Sequence, residues 1–409
     1  MVDLLPEDTG QWVALESLVR ETARRFHFQE IRTPVLEQTE LIARGVGQLT
    51  DIVSKEMFTF NRGDDHYVLR PEGTAPVARA YVQHHLAQRG GVQRLYYIGP
   101  FFRAERPQKG RQRQFHQFGA ELLGAAGPVA DVEIISFMLA VFQQAGLHKI
   151  TLNINSVGNP ESREAYRKAL HAYFEPLSDQ LSEVSRKRLQ NNPMRILDSK
   201  EEQDQPLKQN APRITDYLSD HSKAHFNTVL SLLERQQTHF DIDPFLVRGL
   251  DYYTETAFEL VSPDLGSQDA LGGGGRYDLL VGEIGGEPAP AVGFACGMER
   301  LLIACQANGI VLGTPAVPDL YIVTRGTEAS HWALHALPDL RRAGLVCTMD
   351  YAARSLKAQM KDANRQQARF TLIVGEQELL ENRFTLRDMG RSEESMVAPD
   401  EIASHISAR

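Results

Sequence analysis

The chain has 409 residues, with 53 acidic against 44 basic side chains, a formal net charge of −9 and 42% hydrophobic residues. That length predicts two or three domains with ample apolar surface to bury, and the acidic balance argues against a general nucleic-acid coat while leaving room for local basic surfaces. No apolar run approaches the roughly 18 residues of a membrane span, the start Met1–Asp8 lacks the basic and apolar regions of a signal peptide, and Cys296, Cys305 and Cys347 are isolated, which suits a reducing cytoplasm and neither a disulfide framework nor a cysteine zinc site.

Trp12, Leu15, Leu18, Val19, Ala23 and Phe26 recur at helical spacing and predict a first helix. Phe28–Leu36 reads as a strand whose Pro34 places it at an edge or end. His66–Arg70 reads as a short strand, followed by a helix from about Ala75 with Thr74 as its N-cap. Arg94–Leu123 reads as a long hairpin, with a helix over Glu133–Ala145 and a strand over Ile150–Asn155 after it. From about Ser162 to Gln237 the chain turns helical and rich in Arg, Lys, Glu and Gln, as an inserted subdomain would. Strands resume at Phe245–Leu250 and Thr256–Val261, then comes the run Gly272–Gly275, and then a strand (Ala291–Gly297) running into a helix (Met298–Gln306). Leu312–Pro318 is a Pro/Gly linker, and strands at Leu320–Val323, Val346–Asp350 and Phe370–Val374 alternating with helices Ala329–Ala343 and Ser355–Ala368 predict a small terminal α/β domain.

Five segments carry chemistry. The hairpin loop Arg103–Arg113 holds five basic residues and one acid, which suits either a polyanion site or a solvated tip. On its return strand, alternation puts Phe115, Gln117, Gly119 and Glu121 on one face and His116, Phe118, Ala120 and Leu122 on the other. Gln117 and Glu121 then flank the gap left by Gly119, as the floor of a polar pocket or as a wet strand face. Glu72-Gly73-Thr74 offers a carboxylate and a hydroxyl at a strand-to-helix junction, for an ammonium group or for a helix cap. Arg248, inside Leu246–Thr254, needs a partner if buried, and a ligand carboxylate or phosphate is one candidate. Gly272–Gly275 lacks the Gly-Lys-Ser/Thr ending of a Walker loop and reads as a turn. Arg300, in the first turn of its helix, works against the helix dipole, so an anion or a salt-bridge partner is expected beside it.

Taken in order along essentially the whole chain, these segments resemble the histidyl-tRNA synthetase family of class II aminoacyl-tRNA synthetases. Phe28–Pro34 is similar to motif 1, Tyr97–Arg111 through Gln114–Gln117 to motif 2 and Ala291–Leu302 to motif 3; Leu246–Thr254 and Ala270–Leu280 are similar to the two histidine-specific signatures. The resemblance implies an α+β fold, a class II antiparallel β-sheet flanked by helices over residues 1–311, with a helical insertion at about 162–237, a linker at 312–318 and an anticodon-binding α/β domain at 319–409. It implies ligation of L-histidine to tRNA(His) through a histidyl-adenylate, with ATP as substrate, Mg2+, a homodimer and a cytoplasmic location.

By the same pattern Arg103 and Arg248 are the catalytic residues, Arg103 at the α-phosphate and Arg248 near the histidine carboxylate. Glu105 and Arg300 join Arg103 in holding ATP. Glu72 and Thr74 hold the α-ammonium with Gln117 beside them, Glu121 and Tyr253 read the imidazole, and Tyr252 lies with them. Gln108, Lys109, Arg111 and Arg113 are expected at tRNA, and no residue is singled out as a metal ligand. Arg354, Lys357, Lys361, Arg365 and Arg369, spaced 3, 4, 4 and 4, form one helical stripe with Leu356, Met360 and Ala363 opposite; Arg354, Lys357 and Lys361 are expected at the RNA backbone, a solvated helix face being the other reading. Two departures stand out. The chain starts almost at Asp3-Leu4-Leu5-Pro6, where relatives carry an earlier Arg-Gly segment, so an upstream strand is expected to be missing, and Ala104 replaces a larger residue. Two rivals remain: a non-catalytic paralogue such as the regulatory subunit of ATP phosphoribosyltransferase, and an RNA-binding sensor without ligase activity.

Overall fold

The computed structural model describes residues 2–47, 50, 52–105, 110–265 and 270–408. It forms two compact units, Met1–Thr314 and Pro315–Arg409.

The first unit is built on an eight-stranded sheet in the order Gln29–Glu30, Gln93–Phe102, Gln114–Leu123, Ala291–Gly297, Ala270–Arg276, Thr254–Val261, Thr151–Ser156, Phe240–Ile242. Its six central strands are antiparallel, and the short outermost strand at each edge pairs in parallel. The long hairpin has Leu95 opposite Glu121, Tyr97 opposite Gly119 and Gly99 opposite Gln117. Alternation therefore divides the two faces as expected. Phe118, Ala120 and Leu122 enter an apolar layer beneath helices Pro6–Arg25, Pro128–Gln144, Asp220–Arg235 and Met298–Ala307, which contribute Leu15, Val19, Phe137, Val229 and Leu301 to it. The other face carries Tyr97, Phe101, Tyr253 and Tyr277, together with Tyr166, Leu170, Ile196 and Ile214 of the inserted segment. A small antiparallel sheet (Leu36–Gln38, Asp65–Leu69, Phe58–Arg62) and helix Thr74–Gln83 complete the unit.

Three expectations fail for identifiable reasons. Phe28–Leu36 is not one strand: Thr33 gives its carbonyl to the Arg70 guanidinium at 2.8 Å and Pro34 has no N–H, so the ladder stops after Gln29–Glu30 and restarts at Leu36–Gln38. Phe245–Leu250 is not a strand either. The Phe245 N–H bonds the Asp243 carboxylate (2.9 Å) and the Leu246 carbonyl accepts from Asn155 Nδ2 (3.0 Å), so side chains occupy what a ladder would use. Gly272–Gly275 is a strand and not a turn, lying within Ala270–Arg276. A Cβ on Gly273 would come within 2.9 Å of the Arg248 guanidinium carbon, and one on Gly275 within 2.8 Å of Tyr253 Cδ1, so glycine is needed for close approach and not for a bend.

The second unit has a five-stranded sheet in the order Cys347–Met349, Leu320–Thr324, Phe370–Val374, Phe384–Asp388, Glu394–Val397. The first three strands are parallel, and the last two add an antiparallel hairpin that the strand–helix alternation does not reveal. Helix Thr327–Arg342 buries Ala329, Ala333, Leu337 and Leu340 against this sheet.

Candidate active site

On the tyrosine-bearing face of the large sheet lies a cavity of about 240 Å³. Arg103 comes from the end of the hairpin, Arg248 from the irregular loop before Thr254–Val261, and Arg300 from the first turn of helix Met298–Ala307; all three line this one space. Glu72, Thr74, Glu105, Arg111, Gln117, Tyr252 and Tyr253 line it too.

Two of the guanidinium groups, those of Arg103 and Arg248, are aimed by protein partners before any ligand enters. Arg103 donates from Nε to the Pro71 carbonyl at 2.9 Å and lies 5.3 Å over the Phe115 ring. Arg248 crosses the glycine strand and donates to Glu259 at 2.5 Å. Burial works against the Arg248 charge, but the Glu259 carboxylate more than offsets it and keeps the guanidinium ionised. Arg248 thus has the partner that its burial requires, in Glu259, where a ligand anion was one candidate. Its buried Nε has no hydrogen-bond partner among the described residues. Glu105 accepts from Arg111 at 2.9 Å and stands 3.8 Å from Arg103.

The wall beside them is a carboxylate–hydroxyl network. Glu72, not Thr74, caps helix Thr74–Gln83, accepting from the N–H groups of Thr74 (2.7 Å) and Ala75 (2.8 Å). This corrects the expected N-cap. Because the carboxylate reaches both free N–H groups, the Thr74 hydroxyl is released to donate to Glu121 at 2.8 Å. Glu121 is fully buried beneath that wall and also accepts from Tyr277 (2.5 Å) and Tyr97 (3.4 Å). Burial pushes its carboxyl up to about 8 against the pull of those three hydroxyls. Burial likewise raises Glu72, opposed by the two N–H groups it caps. The gap expected at Gly119 is filled by the Tyr97 ring, whose hydroxyl lies where a Cβ would stand. Gln117 Oε1 is buried with no hydrogen-bond partner among the described residues, a vacant acceptor at the cavity edge.

Of the remaining expected residues, Arg113 is exposed, and Gln108 and Lys109 lie outside the described residues. Sequence reasoning missed three side chains here: Glu259, Tyr277, and Glu299, whose carboxylate accepts from the His116 backbone N–H at 2.9 Å and stands 3.0 Å from its Nδ1. Glu259 was legible as a lone acid in the apolar half of its strand.

The second unit corrects the basic stripe. Helix Leu356–Arg365 carries Lys357, Lys361 and Arg365, while Arg354 precedes its cap Ser355 and Arg369 follows its end. Arg354 is held by Asp350 (2.5 Å) and Asp362 (2.7 Å), Arg365 by Asp362 and Arg369 by Asp319. The helix buries Gln359, Asp362 and Ala363, whereas Leu356 is 41% exposed. Lys357 and Lys361 are both exposed, one turn apart.

A largely antiparallel sheet with three arginines lining one cavity, in a chain that also carries a separate α/β unit, is the architecture of a class II aminoacyl-tRNA synthetase. A family model described as histidyl-tRNA synthetase matches residues 1–301, and one described as anticodon binding domain matches 319–409. The chain is 48% identical over 404 residues to a histidine–tRNA ligase of Chloroherpeton thalassium (98% of this chain, 95% of that one) and 45% identical over 408 residues to histidine–tRNA ligase 1 of Shouchella clausii (99% and 96%). The crystal structure of apo S. aureus histidyl-tRNA synthetase superposes with a TM-score of 0.84 at 38% identity, covering 99% of this chain and 98% of that one. The chain belongs to the histidyl-tRNA synthetase family.

Proposed function

We propose that the cavity joins L-histidine to ATP as histidyl-adenylate, releasing pyrophosphate, and then passes the acyl group to the 3′ end of tRNA(His). Full-length likeness to histidine–tRNA ligases favours this catalytic reading over the regulatory paralogue. The observation that carries the chemistry is the convergence of Arg103, Arg248 and Arg300 on one space. Attack of a carboxylate on an α-phosphate brings two anions together and builds charge on the phosphorus oxygens. Guanidinium groups already held in place stabilise that charge without reorganising.

Arg103 takes the α-phosphate, and Arg300 with Glu105 holds the rest of ATP. Arg248 bridges the histidine carboxylate and the reacting phosphate. The α-ammonium donates to Gln117 Oε1, to the Thr74 oxygen and to lone pairs of Glu72 beyond those used in capping. Tyr253 and Glu121, with Tyr252 beside them, read the two ring nitrogens. Neutral imidazole offers one donor and one acceptor, and an isostere without them would strand buried polar groups, which gives selection without an editing step. Among the described residues no three acidic, His or Cys side chains converge as a metal cage. That suits magnesium arriving on the triphosphate, which would be held by phosphate oxygens and at most one or two pocket carboxylates, Glu259 and Glu299; it would neutralise phosphate charge.

Arg111 and Arg113 contact tRNA, and the same role is proposed for Gln108 and Lys109. In the second unit, Lys357 and Lys361 carry the contact with the RNA backbone, and Arg354 shapes the loop before them through Asp350. Residues 1–311 form the catalytic domain, with the insertion at about 162–237, and residues 319–409 the anticodon-binding domain. The working unit is a homodimer in the cytoplasm; among the described residues no helix is long and apolar enough to cross a membrane.

ATP–pyrophosphate exchange with each amino acid in turn tests the proposal. Exchange with histidine alone is expected. Absence of exchange with every amino acid would leave the regulatory or sensor reading.

A further inference from the structure

The loop 243–253 delivers both Arg248 and Tyr253 to the cavity, yet it is neither helix nor strand. What holds its outer side comes from the inserted segment. Arg163, on helix Pro160–Phe174, donates to the carbonyls of Tyr253 (3.1 Å) and Asp251 (3.2 Å). Arg195, on the turn Pro193–Ile196, donates to the Asp251 carboxylate at 2.8 Å, with Asn192 Nδ2 3.4 Å from the same oxygen. From the opposite side the Asp251 N–H bonds the Val46 carbonyl at 3.1 Å. The side chains of Arg195 and Asp251 are 12% and 29% exposed, so the pair is largely screened from solvent.

Apolar side chains of the two parts do meet, Met194 and Ile196 sharing one cluster with Tyr253, Val247 and Leu250, but the contact is incomplete. A gap of about 30 Å³ lies between the two parts, with Arg163, Asn192 and Arg195 on one side and Arg248, Asp251 and Tyr253 on the other, alongside Met194, Val247 and Leu250. Close-packed cores hold position by contact; across a gap the directional bonds must do so. We infer that Arg163 and Arg195 are positioning residues for adenylation, a clamp through which the inserted helical segment sets where Arg248 and Tyr253 stand. A load on that segment, such as an RNA bound to it, would then reach the reacting phosphate through Asp251. The inference rests on the histidine-activating reading of the cavity.

Arg195→Ala, Asp251→Asn and the double variant separate these ideas in histidine-dependent pyrophosphate exchange, with hydrogen–deuterium exchange of residues 247–253 measured on the same proteins. Displacement of a catalytic group by about 1 Å costs on the order of 10²-fold. Arg195→Ala is therefore expected to lower kcat by roughly 10- to 100-fold and to raise the KM for histidine, because Tyr253 moves too. The KM for ATP should stay within about twofold, since Arg103 and Arg300 stand on other elements. The double variant should be no worse than the poorer single one, because both remove one contact. Faster deuterium uptake in the loop should accompany the loss. Should Arg195→Ala fail to fold, Arg195→Lys, which keeps the charge but loses the planar fork, carries the same expectations in milder form. An unchanged kcat, or losses that simply add, would overturn the clamp. Wild-type protein with no exchange at all would instead end the activation reading, while the deuterium measurement would still decide the contact.

Discussion

Arg248→Ala removes a charge that does two things at once. It withdraws a guanidinium from the reacting phosphate, and it strips Glu259 of the partner that donates to it at 2.5 Å. Loss of one preorganised donor to a developing anion costs about 10²–10³ in kcat, or about 3–4 kcal/mol. The abandoned carboxylate then repels the nucleotide: a phosphate oxygen about 6 Å away would feel about 3 kcal/mol at an effective dielectric of about 20. The single variant should therefore lose about 10⁴–10⁵ in the rate of adenylate formation, measured by single turnover and by pyrophosphate exchange. Arg248→Ala with Glu259→Gln removes the repulsion and should recover to the about 10²–10³ deficit of the missing donor alone. A near-wild-type rate in the single variant, or full recovery in the double one, would refute the role of Arg248 at the phosphate and leave it as a neutraliser of Glu259.

The Glu121 carboxyl, at about 8 in the folded protein against 4.5 ordinarily, is protonated at neutrality where the unfolded chain's is ionised. Folding thus takes up a proton between those values, so stability should fall as pH rises from about 4.5 to 8, and Glu121→Gln should flatten that slope in urea titrations. Neutralising Lys357 and Lys361 to Gln should raise the KM for tRNA and reduce the salt slope of tRNA binding by roughly 1–2, without touching pyrophosphate exchange; equal damage to both steps would contradict the RNA role. Arg276 is fully buried and donates to Asp131 at 2.6 Å and Asp278 at 3.0 Å. Arg276→Met should cost about 3–5 kcal/mol by leaving Asp131 charged and short of its partner, read from Trp12 fluorescence in a Trp332→Phe background.

Local patterns were legible where one physical cause dominated. Period-two alternation correctly divided Gln114–Leu123 between core and cavity, and the 3.6-residue spacing located helix Pro6–Arg25. They failed where distant groups compete for the backbone. Nothing in Thr33-Pro34 announces that Arg70 will take the Thr33 carbonyl, nor in Phe245–Leu250 that Asn155 and Asp243 will replace a ladder. The basic stripe failed for a related reason: helical spacing assumes a helix long enough to hold it, and Ser355 starts this one after Arg354. The signs were there in Asp350, Asp362 and Asp319, yet which acid meets which base is a property of the fold. In the cavity, motif likeness pointed to the arginines, whereas Glu259 and Tyr277, the partners of Arg248 and Glu121, became visible as such only once the chain had folded.

The run of four glycines constrains how this enzyme could ever change its amino acid. Each position in Gly272–Gly275 is pressed against a neighbouring strand, with Gly274 facing the Gly293 carbonyl and Gly272 the Cys296 sulfur. Where Gly272 and Gly273 line the cavity its wall is therefore main chain, offering no lever for single-residue drift. Any retuning toward another substrate must enter from the sides, through Gln117, Thr74 or the Arg248 loop, and of these Thr74 already holds Glu121 and Arg248 already holds Glu259.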